Sequence, residues 1–202
     1  MNKLVCKRSE LPEWEDVFRQ CGAVTKAESE PREPFQKAMY AIGRNWDRIQ
    51  KIIKRAQGEV RKILAPSDLY DSFLKEIESL NREYCTKDAA GDPLFKANAQ
   101  GQNTFQFTDE NRKVRDGMVE ALKARPAYSL AIAEQKNAED NANKFMEEPI
   151  EVELFTIPWS SMPERLSGPY LSRVAVMATD IPHDVAEMMK NEDAPELAEL
   201  ES

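Results

Sequence analysis

Apolar residues recur at three- and four-residue steps over most of this chain and alternate with polar ones at only a few places. From Phe35 onward, Phe35, Met39, Ile42, Trp46, Ile49, Ile53, Ala56, Val60 and Ile63 follow at steps of four and three, a heptad seam that predicts one long helix. Gly43 and Gly58 each cost about 1 kcal/mol against alanine there, little against so long a seam. Pro66 stops the run, Ser67 or Asp68 caps a second helix, and Leu69, Phe73, Ile77, Leu80 and Tyr84 continue the apolar face. So short a joint predicts an antiparallel helical hairpin. Upstream, Leu11, Trp14, Val17, Phe18 and Cys21 predict three helical turns between an N-cap at Ser9 and a terminal Gly22, and residues 23–34, twice interrupted by proline, read as a linker.

Strand signals are fewer. Ile150, Val152 and Leu154 alternate with Glu151 and Glu153 and predict the best strand of the chain. It needs a partner, and the candidates are an edge strand at residues 3–8 or the stretch around Phe105 and Phe107. Residues 88–93 (DAAGDP) carry turn chemistry, so a small β-hairpin or ordered loop is expected between residues 86 and 108. Thr108 opens a capping signal for a third helix through Val114, Met118 and Leu122, which Pro126 interrupts. Residues 127–143 are rich in Ala, Asn, Glu and Lys and read as a weaker helix or a mobile insertion. Leu171, Val174, Ala175 and Ala178 predict a short helix. The expected architecture is α+β, mainly α: a helical hairpin with a heptad seam, a third helix and a small sheet. One domain is expected over residues 1–181, with an insertion at 124–143, followed by an acidic, mobile tail at 182–202.

Composition narrows the function classes. The 202 residues carry 28 Lys+Arg and 36 Asp+Glu, a net charge of −8, and 32% of them are charged; mean hydropathy is −0.64. No stretch approaches the ~18 consecutive apolar residues of a membrane span, and no apolar segment follows the basic start as a signal peptide requires. Cys6, Cys21 and Cys85 are odd in number and lack a CxxC spacing, which reads as reduced thiols in a cytoplasmic protein rather than a disulfide framework or zinc site. The single histidine, His183, excludes multi-histidine metal centres. His183, Asp184 and Glu187 share one possible helical turn but supply no closed coordination shell. Residues 88–92 lack the order of a calcium loop. No phosphate-binding glycine loop or nucleophile elbow is present, so the sequence names no catalytic residue, cofactor or metal.

Charge is unevenly spread. Lys37, Arg44 and Lys51 recur every seven residues, as do Arg48, Arg55 and Lys62, and both sets lie opposite the heptad seam. Residues 32–64 hold 9 basic and 3 acidic residues, +6 inside a protein of −8, whereas residues 180–202 hold 8 acidic residues and 1 lysine, −7. The stripe suits a solvated helix face, an acidic partner, phosphate backbone or the chain's own tail. Nucleic acid is not the favoured partner, because no exposed aromatic is seen interleaved with the charges. Trp14 and Trp46 read as core residues, and Trp159, flanked by prolines, as an exposed partner contact.

Five short motifs carry a family resemblance: MYAIGRN at residues 39–45, EYCTKDAAGDP at 83–93, TFQFTDEN at 104–111, IEVELFTIP at 150–158 and LSGPYLSRVAVM at 166–177. In this order the chain resembles a family of small tailed-phage and prophage proteins of unassigned function, over residues 3–181. The resemblance implies a phage context, in the host cytoplasm or associated with the virion, and brings no catalytic residues. The function expected is a non-enzymatic interaction protein, serving virion assembly or host modulation through protein–protein contacts with a phage or host partner or a second copy. The alternative is a nucleic-acid-binding accessory protein using Lys37, Arg44, Arg48, Lys51, Arg55 and Lys62.

Overall fold

The computed structural model describes residues 2–27, 33–98, 101–162 and 173–190. In chain order the elements are β1 (Lys3–Lys7), α1 (Leu11–Ala27), α2 (Glu33–Ile63), α3 (Asp68–Tyr84), β2 (Phe95–Ala97), β3 (Asn103–Phe105), α4 (Asp109–Lys123), α5 (Pro126–Glu147), β4 (Pro149–Glu153), β5 (Ile157–Pro158), β6 (Ala178–Thr179) and α6 (His183–Lys190). The fold is α+β and mainly helical, with three two-stranded sheets among the described residues. Residue contacts divide it into two compact units, Met1–Val60 with Asn143–Ser202, and Arg61–Ala142, a division that the expectation of one domain over residues 1–181 did not contain.

In the first unit β1 pairs antiparallel with β4, Leu4 opposite Val152 and Cys6 opposite Ile150. The alternation that predicts each strand sends Leu4, Cys6 and Val152 inward and their charged neighbours outward. Lys3 to Glu151 at 2.8 Å and Lys7 to Glu147 at 2.8 Å line the outer face, and Arg8 reaches Glu148 at 2.7 Å. Of the two candidate partners for the strand at residue 152, the N-terminal segment is therefore the one used. Ser9 is not a helix N-cap; it lies in a 3-10 turn whose first backbone N–H, from Lys7, donates to Glu10 at 2.9 Å. Gly22 does not end α1, which runs on to Ala27. A Cβ at Gly22 would stand 3.7 Å from the Ile42 side chain, an ordinary packing distance, so this glycine faces α2 within the helix rather than ending it.

The core of this unit joins Leu11, Phe18 and Cys21 of α1, Ala38, Ala41, Ile42 and Ile49 of α2, and Val152, Leu154, Ile157, Val174 and Met177 from the C-terminal segment. The buried stripe of α2 is rotated from the expected seam. Ala38, Ala41 and Asn45 are inside while Met39 is 37% exposed, because the small residues admit close neighbours and Asn45 bonds across to Phe155. Trp14 and Trp46 pack at the edge of the core. After β4 the chain leaves the strand conformation, and β5 pairs in parallel with β6. Of the short helix expected from Leu171, Leu171 lies outside the described part with the rest of residues 163–172; residues 173–174 are helical, Ala175–Met177 form a 3-10 turn and Ala178 belongs to β6. The expected mobile tail begins with a helix: Pro182 presets the first turn, its carbonyl accepts from the Ala186 N–H at 3.0 Å, and Asp184 lies at the positive end of α6. Residues 191–202 lie outside the described part.

In the second unit α3 and α4 pack as an antiparallel helical pair. Asn111 Nδ2 donates to the Tyr84 carbonyl at 3.0 Å and Arg115 Nε to Asn81 Oδ1 at 2.8 Å, while Phe73 and Leu122 meet at the other end. Ser67 caps α3 and Thr108 caps α4, each accepting a backbone N–H at 3.2 Å. The β2–β3 ribbon stands between them, reached through a turn in which Asp88 Oδ1 accepts from the Ala90 and Asp92 N–H groups and Gly91 takes φ 88°. Pro126 starts α5 rather than merely ending α4, because the first helical position needs no N–H. The segment expected as a weak helix or mobile insertion is thus an ordered helix, anchored by the buried Tyr128, Ala131 and Ala142.

Candidate functional site

The basic positions of α2 form one coherent strip. At 100° per residue Lys37, Arg44, Arg48, Lys51, Arg55 and Lys62 fall within a sector of about 60° along one flank of the helix. Lys37, Arg44, Lys51, Arg55 and Lys62 are exposed and Arg48 is half-buried. The strip flanks the core-facing side rather than standing diametrically opposite it, and its edge borders the segment that follows β4.

Phe155 organises that border. Asn45, fully buried, clamps the Phe155 backbone from both sides: its Oδ1 accepts the Phe155 N–H at 2.8 Å and its Nδ2 donates to the Phe155 carbonyl at 3.0 Å. The ring then lies against α2, where the Arg44 guanidinium carbon is 5.3 Å from its centroid and that of Arg48 4.7 Å. Arg48 also donates to the Glu153 carbonyl. Tyr40, 63% exposed, meets Phe155 edge to face with centroids 6.3 Å apart and planes at 79°. Tyr40, Arg44 and Arg48 are spaced i, i+4, i+8, so one helical row carries an aromatic and two guanidinium groups. Sequence reasoning missed Tyr40 and Phe155. The spacing of Tyr40 to the arginines was available as a signal; the arrival of Phe155 from 110 residues away was not.

Trp159 is not the exposed aromatic expected of it. It begins a 3-10 turn, half-buried, and packs against the core of the first unit.

The second unit holds a cleft of about 340 Å³ between α3 and α4, lined among others by Glu76, Leu80, Met118, Leu122 and Arg125. Its one carboxylate is engaged: Glu76 accepts from the Tyr128 hydroxyl through one oxygen and from Arg125 Nη1 at 3.0 Å through the other. The hydrogen bond to Glu76, followed by burial, raises the Tyr128 pKa, so the phenol stays a donor. Both carboxylate oxygens of Glu76 are thus hydrogen-bonded, and the remainder of the cleft is lined mainly by apolar side chains.

The thiols are unreactive by environment. Burial pushes Cys6 up to about 11 and Cys21 up to about 12, and Cys85 is buried with its Sγ donating to the Arg82 carbonyl. His183 is exposed, with Nδ1 3.9 Å from Glu187. Among the described residues no three His, Cys, Asp or Glu side chains converge as metal ligands, and no helix is long and apolar enough to cross a membrane. No protein-family model, curated protein or solved structure matches the chain.

Proposed function

We propose that the chain is a non-enzymatic interaction protein of a phage or prophage, working in virion assembly or host modulation through protein–protein contacts. The phage context rests on the five collinear motifs in the sequence. The observation that supports a docking role is the apolar surface of the second unit: Val114 and Met118, one turn apart on α4, are 44% and 40% exposed beside the α3–α4 cleft. An exposed valine and methionine beside a cleft lined by Leu80 and Leu122 make an apolar patch of the kind that suits a protein contact. The test is affinity capture from phage-infected cells with the intact chain and with a Val114→Glu/Met118→Glu pair. The pair removes the captured partner without lowering the melting temperature, and equal capture by both proteins refutes this reading. Light scattering over a concentration series separates a foreign partner from a second copy.

A second reading, a nucleic-acid-binding accessory protein, is favoured by the Tyr40–Phe155 pair on the basic flank of α2, which supplies the aromatic that the charge pattern alone lacks. Arg48 is tied to Glu153 and Phe155, so the charges to reverse are Arg44, Lys51 and Arg55. Loss of salt-sensitive DNA or RNA binding on reversal supports the reading.

A further inference from the structure

Building on the nucleic-acid reading, we propose that the flank of α2 is a single-strand site, in which Tyr40 stacks on an unpaired base while Arg44, Lys51 and Arg55 hold the phosphates on either side. Three observations carry it. First, these cations are exposed along one line of the helix, and Arg44 to Arg55 spans about 16 Å at 1.5 Å per residue, enough for several nucleotides. No ion pair ties Arg44, Lys51 or Arg55 to a carboxylate among the described residues, whereas Arg8 and Arg19 of the same unit are paired. Their field is therefore directed outward, and the local excess of basic residues concentrates anions despite a total of −8.

Second, the aromatic is set for stacking. Phe155 presses edge-to-face on Tyr40, which fixes the tyrosine ring while leaving the residue 63% exposed. A ring held in place loses little side-chain entropy when a base covers it. Third, Phe155 is itself held by two backbone hydrogen bonds to the buried Asn45, so the whole row rests on the core. An acidic peptide would use the cations equally well but would gain nothing from the tyrosine face. A duplex keeps its bases stacked inside and offers no base to Tyr40. Single strands use both features at once.

The experiment is fluorescence anisotropy with the full chain, a labelled thymidine oligonucleotide of about 20 nucleotides, the duplex of equal length, and heparin as competitor. Binding to the single strand weakens steeply between about 50 and 200 mM salt. Arg44→Glu/Lys51→Glu/Arg55→Glu abolishes it, and neutral Gln at the same three positions reduces the salt slope by about 2. Tyr40→Ala lowers single-strand affinity about tenfold with the slope unchanged, and Tyr40→Phe restores it. Tyr40 is a surface residue, so circular dichroism of each variant stays that of the parent. Equal binding of strand and duplex with no effect of Tyr40→Ala overturns the stacking site while leaving a polyanion-binding helix. Absence of salt-sensitive binding to every probe overturns both.

Discussion

The two units differ in how their residues find one another. The first is closed by partners distant in sequence: β1 against β4, and α1 and α2 around Leu154, Ile157 and Met177, with 17 of the described residues in its buried cluster. The second is built from consecutive elements, and among the described residues its cluster has 3 buried members, Phe73, Leu122 and Tyr128, edged by Tyr70, Ile77, Leu80 and Ile132. A core of the first kind ties distant chain segments together and resists partial opening; one of the second kind depends more on caps, turns and polar clamps. The difference also sorts the surfaces: among the described residues the exposed large apolar side chains lie mainly on the thinly packed unit, and the charged strip lies on a helix fastened to the larger core.

Core truncation gives the largest test of this contrast. Phe18→Ala removes a fully buried ring from the first unit and should cost about 3–5 kcal/mol, with exchange of the β1 and β4 amides accelerated along with those of α1 and α2. Phe73→Ala, in the smaller cluster, should cost about 3 kcal/mol and accelerate exchange in α3, α4 and α5. If Phe73→Ala deprotects β1 and β4 to the same degree, the two units unfold as one cooperative body and the contrast is broken.

Asn45→Ala comes next. It leaves the Phe155 N–H and carbonyl without their side-chain partners and should cost about 2–3 kcal/mol, read as a lower urea midpoint at unchanged slope. It should also loosen Phe155 from Arg44 and Arg48. Asn45→Asp keeps the acceptor for the Phe155 N–H but loses the donor and buries a charge, so it should be no better than alanine.

Much of this frame was legible in the sequence for physical reasons that can be named. Alternation around Val152 and around Leu4 specified two strands because one face of each is buried. Ser67 and Thr108 marked helix starts because their hydroxyls satisfy otherwise orphaned N–H groups. What periodicity could not show was which neighbour each apolar face meets. Met39 fits the heptad spacing yet is 37% exposed, and Asn45 breaks the apolar face yet lies inside, where a backbone segment 110 residues away supplies its hydrogen-bond partners. Gly22 illustrates the same limit, since a glycine inside a helix and a glycine at a helix end read alike. The cleft between α3 and α4 was legible only in its apolar residues Leu80, Met118 and Leu122; Glu76, Arg125 and Tyr128 come together through the packing of three helices.

The caps sharpen the comparison at smaller magnitude. Ser67→Ala and Thr108→Ala should each cost about 1 kcal/mol, and both belong to the unit with the thinner core. The loss should appear as fraying at the first turns of α3 and α4 in hydrogen exchange before it appears in global unfolding. Fraying confined to α3 and α4 upholds the picture of a unit held by local devices. An equal loss of protection throughout the chain contradicts it.

The smallest effect expected is electrostatic and belongs to the outer face of the β1–β4 sheet. The hydrogen bond from Lys7, then that from Ser9, holds the Glu147 carboxyl below its ordinary 4.5, and the hydrogen bonds to Glu147 and Glu151 raise Lys7 and Lys3 above their ordinary 10.5. A depressed carboxylate stabilises the fold above pH 4.5 and loses that contribution as the pH falls through its folded value; raised lysines contribute fully below pH 10.5 and lose it as the pH rises through theirs. These pairs therefore contribute a level stability between pH 4.5 and 10.5, with a shallow fall on either side. All of the partners are solvent-exposed, so screening keeps the effect small and added salt should flatten it further. Lys7→Met should remove the share of the acid fall owed to Glu147 in a series of melting temperatures against pH. An acid limb identical in Lys7→Met and the parent would show that the first unit owes its closure to its apolar core alone.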